Sequence, residues 1–278
     1  EYAYDGLDRL VGVRYADGRL EAYRLDEVGN RTGERATQPG PVQAGTAIPG
    51  WSELAGAALE RDLTSAFNRA DWLLSRTDAA DASRSETLGY DPNGNIVSRT
   101  RAAKSLSLRW DVRNTLTAAY VDGVEVGRYD YDRDLQRIKR KTADETVEYV
   151  LDQGHVLVEA DGSVEGHPGI RRYHYGTKVL AVEEAGESSF ILKDALGSAG
   201  DFWTATGTLK ASRQYDAWGG YRNGTAPKSG EPKVGYTGHQ FDPETGLVYA
   251  RARYYVPELG RFLSMDAFEG RMGEAPSL

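Results

Sequence analysis

The chain contains no cysteine, so neither disulfides nor thiolate chemistry operate in it. That suits a cytosolic protein, and equally one that unfolds for export. No apolar run reaches the roughly 18 residues a membrane-spanning helix needs. Basic blocks are also missing: the net charge is −8, with acids and bases interspersed, which excludes the basic stripe of a nucleic-acid surface. Glu1-Tyr2-Ala3-Tyr4 has no signal-peptide pattern and begins inside a repeat, so the chain is expected to be part of a longer one. Methionine is scarce, at 2 residues, whereas 17 tyrosines, 5 tryptophans and 32 glycines favour strands and tight turns.

Those aromatics are spaced regularly. An aromatic followed by Asp or Asn, with an apolar residue six positions after the aromatic, occurs at Tyr4-Asp5/Leu10, Phe67-Asn68/Leu73, Tyr90-Asp91/Ile96, Trp110-Asp111/Leu116, Tyr215-Asp216/Tyr221 and Phe241-Asp242/Leu247. Leu25-Asp26 and Leu151-Asp152 are variants, and Tyr131-Asp132 is read with a late apolar residue, Ile138. Weaker copies are expected at Tyr173-His174 and near Leu192-Lys193-Asp194. Successive doublets lie about 21 residues apart, the signature of a repeat architecture. One period holds two strands of about seven residues and two turns. Asp17-Gly18, Asn93-Gly94, Asp122-Gly123 and Asp161-Gly162 supply the positive φ of hairpin turns. The predicted fold is all-β: a long, coiling antiparallel sheet of consecutive hairpins. In each doublet the aromatic is expected on the buried face and the Asp to accept turn N–H groups.

Two segments break the period. Residues 36–62 read as an insertion, with Ser52 capping a short helix over Glu53–Asp62. Arg222–Lys233 reads as an exposed loop. The domain reading is repeats over 1–233, a distinct core over 234–270 and a tail over 271–278.

The core, Val234–Gly270, carries Gly235-Tyr236-Thr237-Gly238-His239, then two Pro-to-Gly turns, Asp242-Pro243-Glu244-Thr245-Gly246 and Val256-Pro257-Glu258-Leu259-Gly260. Between them Leu247–Tyr255 alternates, so strand, turn, strand, turn, strand is expected. With Asp194-Ala195-Leu196-Gly197-Ser198 upstream, this stretch resembles the conserved core that closes the shell of Rhs and YD-repeat proteins. That family includes Rhs toxins of interbacterial competition and the C subunits of Tc toxin complexes, and teneurins share its repeat. The resemblance implies a hollow wall that encloses or presents a C-terminal effector or toxin of the same polypeptide. Its open edges would be covered by flanking repeats or a partner shell protein. It also implies a bacterial protein, secreted or at the cell surface.

Shells of this family commonly cut themselves just after the core, through an aspartyl-protease-like pair of acids and an Arg. Matched by motif, the Arg is Arg253 and the first acid is Asp266, in Ser264-Met265-Asp266-Ala267. The second acid belongs to a later Asp-Pro-x-Gly element, past Leu278. Ala267 stands where the family has Pro, and Val256 where it has Asp. A lone carboxylate cannot be both base and acid, so the chain as it stands is not expected to cleave itself. The alternative for both residues is structural. Four histidines (His155, His167, His174 and His239) lack accompanying cysteines or paired acids, so no metal is expected. No phosphate loop, dinucleotide fingerprint or Gly-x-Ser-x-Gly is present, and no cofactor is expected. Three readings remain: a shell segment without turnover, a surface adhesion or carbohydrate-binding module, and a self-processing protease.

Overall fold

The computed structural model describes residues 1–42, 45–55, 57–102, 104–162, 169–228 and 231–266. The tail over 271–278, the end of the core and His167 lie outside them. Nearly all regular structure is antiparallel β, and among the described residues there is no α-helix, only the 3₁₀ turns Ala82–Arg84 and Tyr236–Gly238. The chain divides into two units, with bodies Glu1–Ser105 and Leu106–Ala267.

The first unit contains β1 (Tyr2–Tyr4), β2 (Leu10–Arg14), β3 (Leu20–Leu25), β4 (Arg31–Thr37), β5 (Leu59–Phe67), β6 (Leu73–Asp78), β7 (Glu86–Tyr90) and β8 (Ile96–Arg101). Each pairs with the next. β9 (Lys104–Trp110) leads into the second unit. There it is followed by β10 (Leu116–Val121), β11 (Val124–Tyr131), β12 (Arg137–Lys141), β13 (Thr146–Asp152), β14 (His155–Asp161), β15 (Gly169–Tyr175), β16 (Val179–Glu184), β17 (Glu187–Lys193), β18 (Ala199–Thr204) and β19 (Leu209–Ser212). These also pair in sequence order. A four-stranded sheet closes the second unit: β20 (Gln240–Asp242), β21 (Leu247–Ala250), β22 (Arg253–Val256) and β23 (Arg261–Phe262).

The six-residue spacing is a register. Tyr90 lies opposite Ile96, Trp110 opposite Leu116 and Phe67 opposite Leu73. In the turn between them, Asp91 N–H bonds the Asn95 carbonyl at 3.0 Å and Gly94 N–H bonds the Asp91 carbonyl at 3.1 Å. This is a type I turn followed by a left-handed residue, the three-residue hairpin loop with a bulge. Gly94 (φ 81°), Asn114 (φ 60°) and Leu135 (φ 61°) occupy the left-handed position in successive repeats. The acid does the expected work: Asp91 Oδ1 accepts from Asn93 N–H and Asn95 N–H, each at 2.9 Å, and Asp111 and Asp132 repeat the pattern. Of the late copies, Lys193 keeps this register, opposite Ala199, whereas Tyr175 lies opposite Val179, only four residues on.

Burial refines the role of the aromatic. In most repeats the residue two before the doublet is the core residue, as in Tyr23, Leu88, Leu108, Tyr129, Tyr149 and Tyr173, whereas Tyr2, two before Tyr4, is exposed. Tyr4 is exposed, but Tyr90, Tyr131, Tyr175 and Tyr215 are half-buried, and their hydroxyls reach back one hairpin. Tyr90 donates to the Leu73 carbonyl (2.8 Å), Tyr175 to Val156 (3.0 Å) and Tyr215 to Ala199 (2.7 Å), in each case the residue that leaves the preceding turn. Tyr131 does the same to Leu116 (2.8 Å), so the repeats that begin at these four tyrosines are stitched to the ones before them.

The expected helix is absent. Trp51–Ala55 forms turns, and β5 starts at Leu59. A helix over 53–62 would place Gly56 in its interior and forfeit the start of a strand paired on both sides, with β4 and β6. The connection from β4 to β5 instead lays Trp51 over Gly33, where a Cβ would come within 2.6 Å of the ring, and under the Arg35 guanidinium, 4.1 Å from the ring centroid. The 222–233 loop is less exposed than expected, since Pro227 and Lys233 are buried.

The buried face also carries charge. In the first unit Glu34 sits among Arg31 (3.4 Å), Arg76 (3.2 Å) and Arg61. Burial alone would raise its carboxyl, but the three guanidinia hold it below the ordinary range. Loss of a stitch is directly measurable. Tyr90→Phe and Tyr215→Phe, each leaving a carbonyl without its donor, should lower stability by about 1 kcal/mol apiece, read as a shifted urea midpoint with an unchanged m value.

Candidate functional site

The core stretch folds as four strands rather than three. Leu247–Tyr255 is interrupted by a two-residue hairpin, Arg251-Ala252, with Ala250 opposite Arg253 and Arg251 at φ 64°. No Gly, Asn or Pro marks this turn, so the alternation reads straight through it. The 3₁₀ turn Tyr236–Gly238 precedes it and docks on the upstream motif. Thr237 N–H donates to Ser198 Oγ at 3.1 Å, and Ala199 N–H bonds the Gly235 carbonyl at 3.0 Å. The two motifs found separately in the sequence are therefore in contact.

The hairpin β20–β21 brings Asp242 into the interior of the second unit. Its carboxylate does not cap the following turn, as the other doublet acids do. It takes Arg137 Nη1 at 2.5 Å, with both side chains 1% exposed. Arg137 occupies the sixth position after Tyr131, directly opposite it, while the apolar residue expected there, Ile138, points outward and is 38% exposed. The register never slipped; a buried Arg fills a slot that is apolar in neighbouring repeats. The guanidinium is enclosed by rings, with the centroids of Tyr129, Tyr149, Tyr249 and Tyr254 at 5.5, 5.3, 4.4 and 5.8 Å. The negative ring faces stabilise a cation removed from water. Tyr254 also accepts from Arg137 Nη1 (3.1 Å), and Tyr249 accepts from the Arg137 backbone N–H (2.8 Å).

Arg140 lies three residues further along β12 and pairs with Glu244 at 3.1 Å and with Glu145. Burial first, then the neighbouring Asp242 charge, push Glu244 up to about 7 against the pull of Arg140. Two acids and two guanidinia thus tie the core hairpin to the repeat sheet. Sequence reasoning gave none of these four a special role; the available signal was an Arg standing six residues after a doublet.

The residues chosen from the sequence come together. Arg253, at the start of β22, pairs with Asp266 through Nη2–Oδ2 at 2.8 Å, the side chains 18% and 29% exposed. The Arg253 guanidinium lies 3.8 Å from the Phe262 ring centroid, and Leu263 N–H bonds the Tyr254 carbonyl at 2.8 Å, which holds the departing chain along β22. The arrangement presents one oriented, partly exposed carboxylate, and it can serve as one member of an acid–base pair. Among the described residues no group of three or more His, Asp or Glu is arranged to hold a metal ion, and no helix is long and apolar enough to cross a membrane.

Comparisons add context. The family model described as Teneurin YD-shell matches residues 169–275. The chain is 29% identical over 279 aligned residues to a tRNA3(Ser)-specific nuclease WapA of Bacillus spizizenii, covering 98% of this chain and 11% of that protein. It is 26% identical over 300 residues to a probable deoxyribonuclease RhsA of Dickeya dadantii, covering 99% of this chain and 19% of that one. The chain therefore spans between a tenth and a fifth of these relatives. A crystal structure of TcdB2-TccC3-Cdc42 aligns over 99% of this chain and 18% of that chain at 14% identity, with a TM-score of 0.48.

Two outcomes test the buried cluster. Asp242→Asn, which strands the Arg137 charge in its ring cage, should cost about 3–5 kcal/mol, whereas the double change Arg137→Met/Asp242→Leu should cost far less, as a double-mutant cycle in guanidinium would show. For Glu244, a folded-state pKa of about 7 against the ordinary 4.5 means that the folded protein keeps a proton the unfolded chain has released. Its contribution is present below about 4.5 and is lost as pH rises through about 7. Glu244→Gln should abolish that slope, matching the parent near pH 5 and exceeding it by on the order of 2–3 kcal/mol at pH 8.

Proposed function

The chain belongs to the Rhs/YD-repeat shell family, and from that premise we propose that it is a stretch of wall, without turnover of its own, in a protein that encloses a C-terminal effector of the same polypeptide. The observation that carries this reading is that the repeat strands pair in sequence order, with the hydroxyls of Tyr90, Tyr131, Tyr175 and Tyr215 tying their hairpins to the ones before. A unit that contacts only its neighbours can be extended by addition into a long sheet, as in other repeat proteins. Repeats over 1–233 supply the sheet in this reading, and the core over 234–270 locks onto it through Arg137 and Arg140. Delivery outside the producing bacterium, by secretion or surface display, fits a wall of this kind, and flanking repeats or a partner shell protein would cover its open edges.

Within that wall, Arg253 and Asp266 form half of a self-processing site. Arg253 orients Asp266, and the second carboxyl comes from the later Asp-Pro-x-Gly element. One carboxylate takes a proton from water as the water oxygen attacks the scissile carbonyl, while the protonated partner gives its proton to the departing amide nitrogen. The contact at 2.8 Å supports this reading because it fixes the carboxylate's direction before the second acid arrives.

The test extends the chain through that element and adds a passenger domain. Clean conversion to two fragments is expected, blocked by Asp266→Asn, with the passenger resistant to added protease until the wall is denatured. An uncut product would remove the processing role. A passenger digested as fast as the free domain would remove enclosure.

A further inference from the structure

A pocket of about 460 Å³ opens in the second unit, between the ends of the β13–β14 and β15–β16 hairpins and the core. Its lining includes His155, Lys178, His239 and Arg251, and it contains no Asp or Glu. In a chain of net charge −8, a lysine, an arginine and two histidines around one cavity without a carboxylate is a local inversion of charge.

Each member is positioned by the fold. Arg251 projects from the β21–β22 turn, and its Nη2 lies 3.2 Å from both ring nitrogens of His155, the first residue of β14. Lys178 gives one proton to the Leu196 carbonyl at 2.9 Å, which aims the ammonium and leaves two protons over. Thr237 Oγ1 lies 2.8 Å from His239 Nδ1 and donates to the Tyr236 carbonyl, so His239 presents Nε2 as its remaining ring atom. Thr237 (φ 50°) and Arg251 (φ 64°) are both non-glycine residues in the left-handed region, a strain of about 1–2 kcal/mol each that persists where surrounding structure imposes it. Apolar walls, Val156 and Val179, and the Tyr175 and Tyr249 rings complete the cavity.

We propose that this pocket binds a small phosphate-bearing ligand, its dianionic head held by Arg251, Lys178 and His239 and its body lodged against the tyrosine rings and valines. The charge count favours phosphate over a single carboxylate, which one guanidinium satisfies in bidentate fashion. The volume suits a mononucleotide-sized molecule. Bound there, the ligand bridges two repeat hairpins and the core turn, so it acts as a removable staple for the second unit. Burial first, then Arg251, Lys178 and His155, hold His239 below its ordinary value. Arg251 on the core turn and Lys178 on the β15–β16 turn are the charged groups that face it, His155 on β14 is a further imidazole, and Tyr175 and Tyr249 face it as neutral phenols. A phosphate reverses that balance, so binding strengthens as pH falls and the imidazole gains its proton.

The test titrates the folded chain with inorganic phosphate and with adenosine monophosphate at constant ionic strength, following heat and melting temperature. Saturable binding that raises the melting temperature is expected, tighter for the nucleotide than for phosphate alone. Lys178→Gln/Arg251→Gln, at two exposed positions, should weaken it at least about tenfold. No saturable binding by the parent protein, or equal binding by the double variant, overturns the proposal. Should that variant melt early without ligand, the His239 ring resonances of the parent decide: ligand must move their titration to higher pH, and an unmoved titration also overturns it.

Discussion

The second unit depends on one buried contact, the Arg137–Asp242 pair inside its ring of tyrosines. Everything around it follows from the cost of keeping a guanidinium out of water. A single carboxylate satisfies one edge of Arg137, and Nε and Nη2 have no hydrogen-bond acceptor among the described residues. Four phenol faces take the place of those acceptors. Two rings come from the repeat strands β11 and β13, and two from the core strands β21 and β22. The cage closes only when the core hairpin sits in one register on the sheet. An apolar contact of the same area would tolerate sliding, whereas a lone ion pair rejects it, because a slip would leave one buried charge unmatched. Here buried charge acts for specificity rather than for net stability.

The repeats solve a different problem. A sheet lengthened hairpin by hairpin needs every turn to stop in the same place, and a type I turn with a left-handed third residue gives that stop. The acid of each doublet pins the loop, and the aromatic hydroxyl of the next doublet fixes the distance to the following hairpin. Both devices depend on short-range spacing, and for that reason they were legible in the sequence. The doublet with its partner six residues on predicted the register of β7 with β8 and of β9 with β10. The same regularity shows why Ile138 misled. An apolar residue one place late looks like a slipped register, yet the backbone kept the spacing and placed an Arg in the interior. Whether that Arg is paired depends on Asp242, 105 residues away, and no local pattern reports such a contact.

Two other misreadings have local causes. The Ser52–Asp62 stretch has the alanine and leucine spacing of a helix, but β4 pairs with the chain from Leu59 and β6 from Leu63, and tertiary pairing outweighs a weak propensity. Leu247–Tyr255 alternates cleanly, and the turn at Arg251-Ala252 uses neither glycine nor asparagine. A hairpin that accepts an arginine at positive φ has given up its conformationally easy residue, so the side chain placed there needs a reason. Arg251 has one in its contact with His155, on a strand it could not otherwise reach.

Arg253 and Asp266 were singled out through the family resemblance, and their contact comes from three steps of the core. β22 sets Arg253 at its first position, the Pro-to-Gly turn at Val256–Gly260 reverses the chain, and Leu263 bonds back to Tyr254. Asp266 then comes level with Arg253. The same β22 carries Tyr254, one residue on and facing the other side, into the cage around Arg137. A short strand therefore links the anchor and the exposed acid back to back. Tyr254 serves both sides, its ring in the cage and its carbonyl accepting from Leu263 N–H on the segment that carries Asp266 to Arg253.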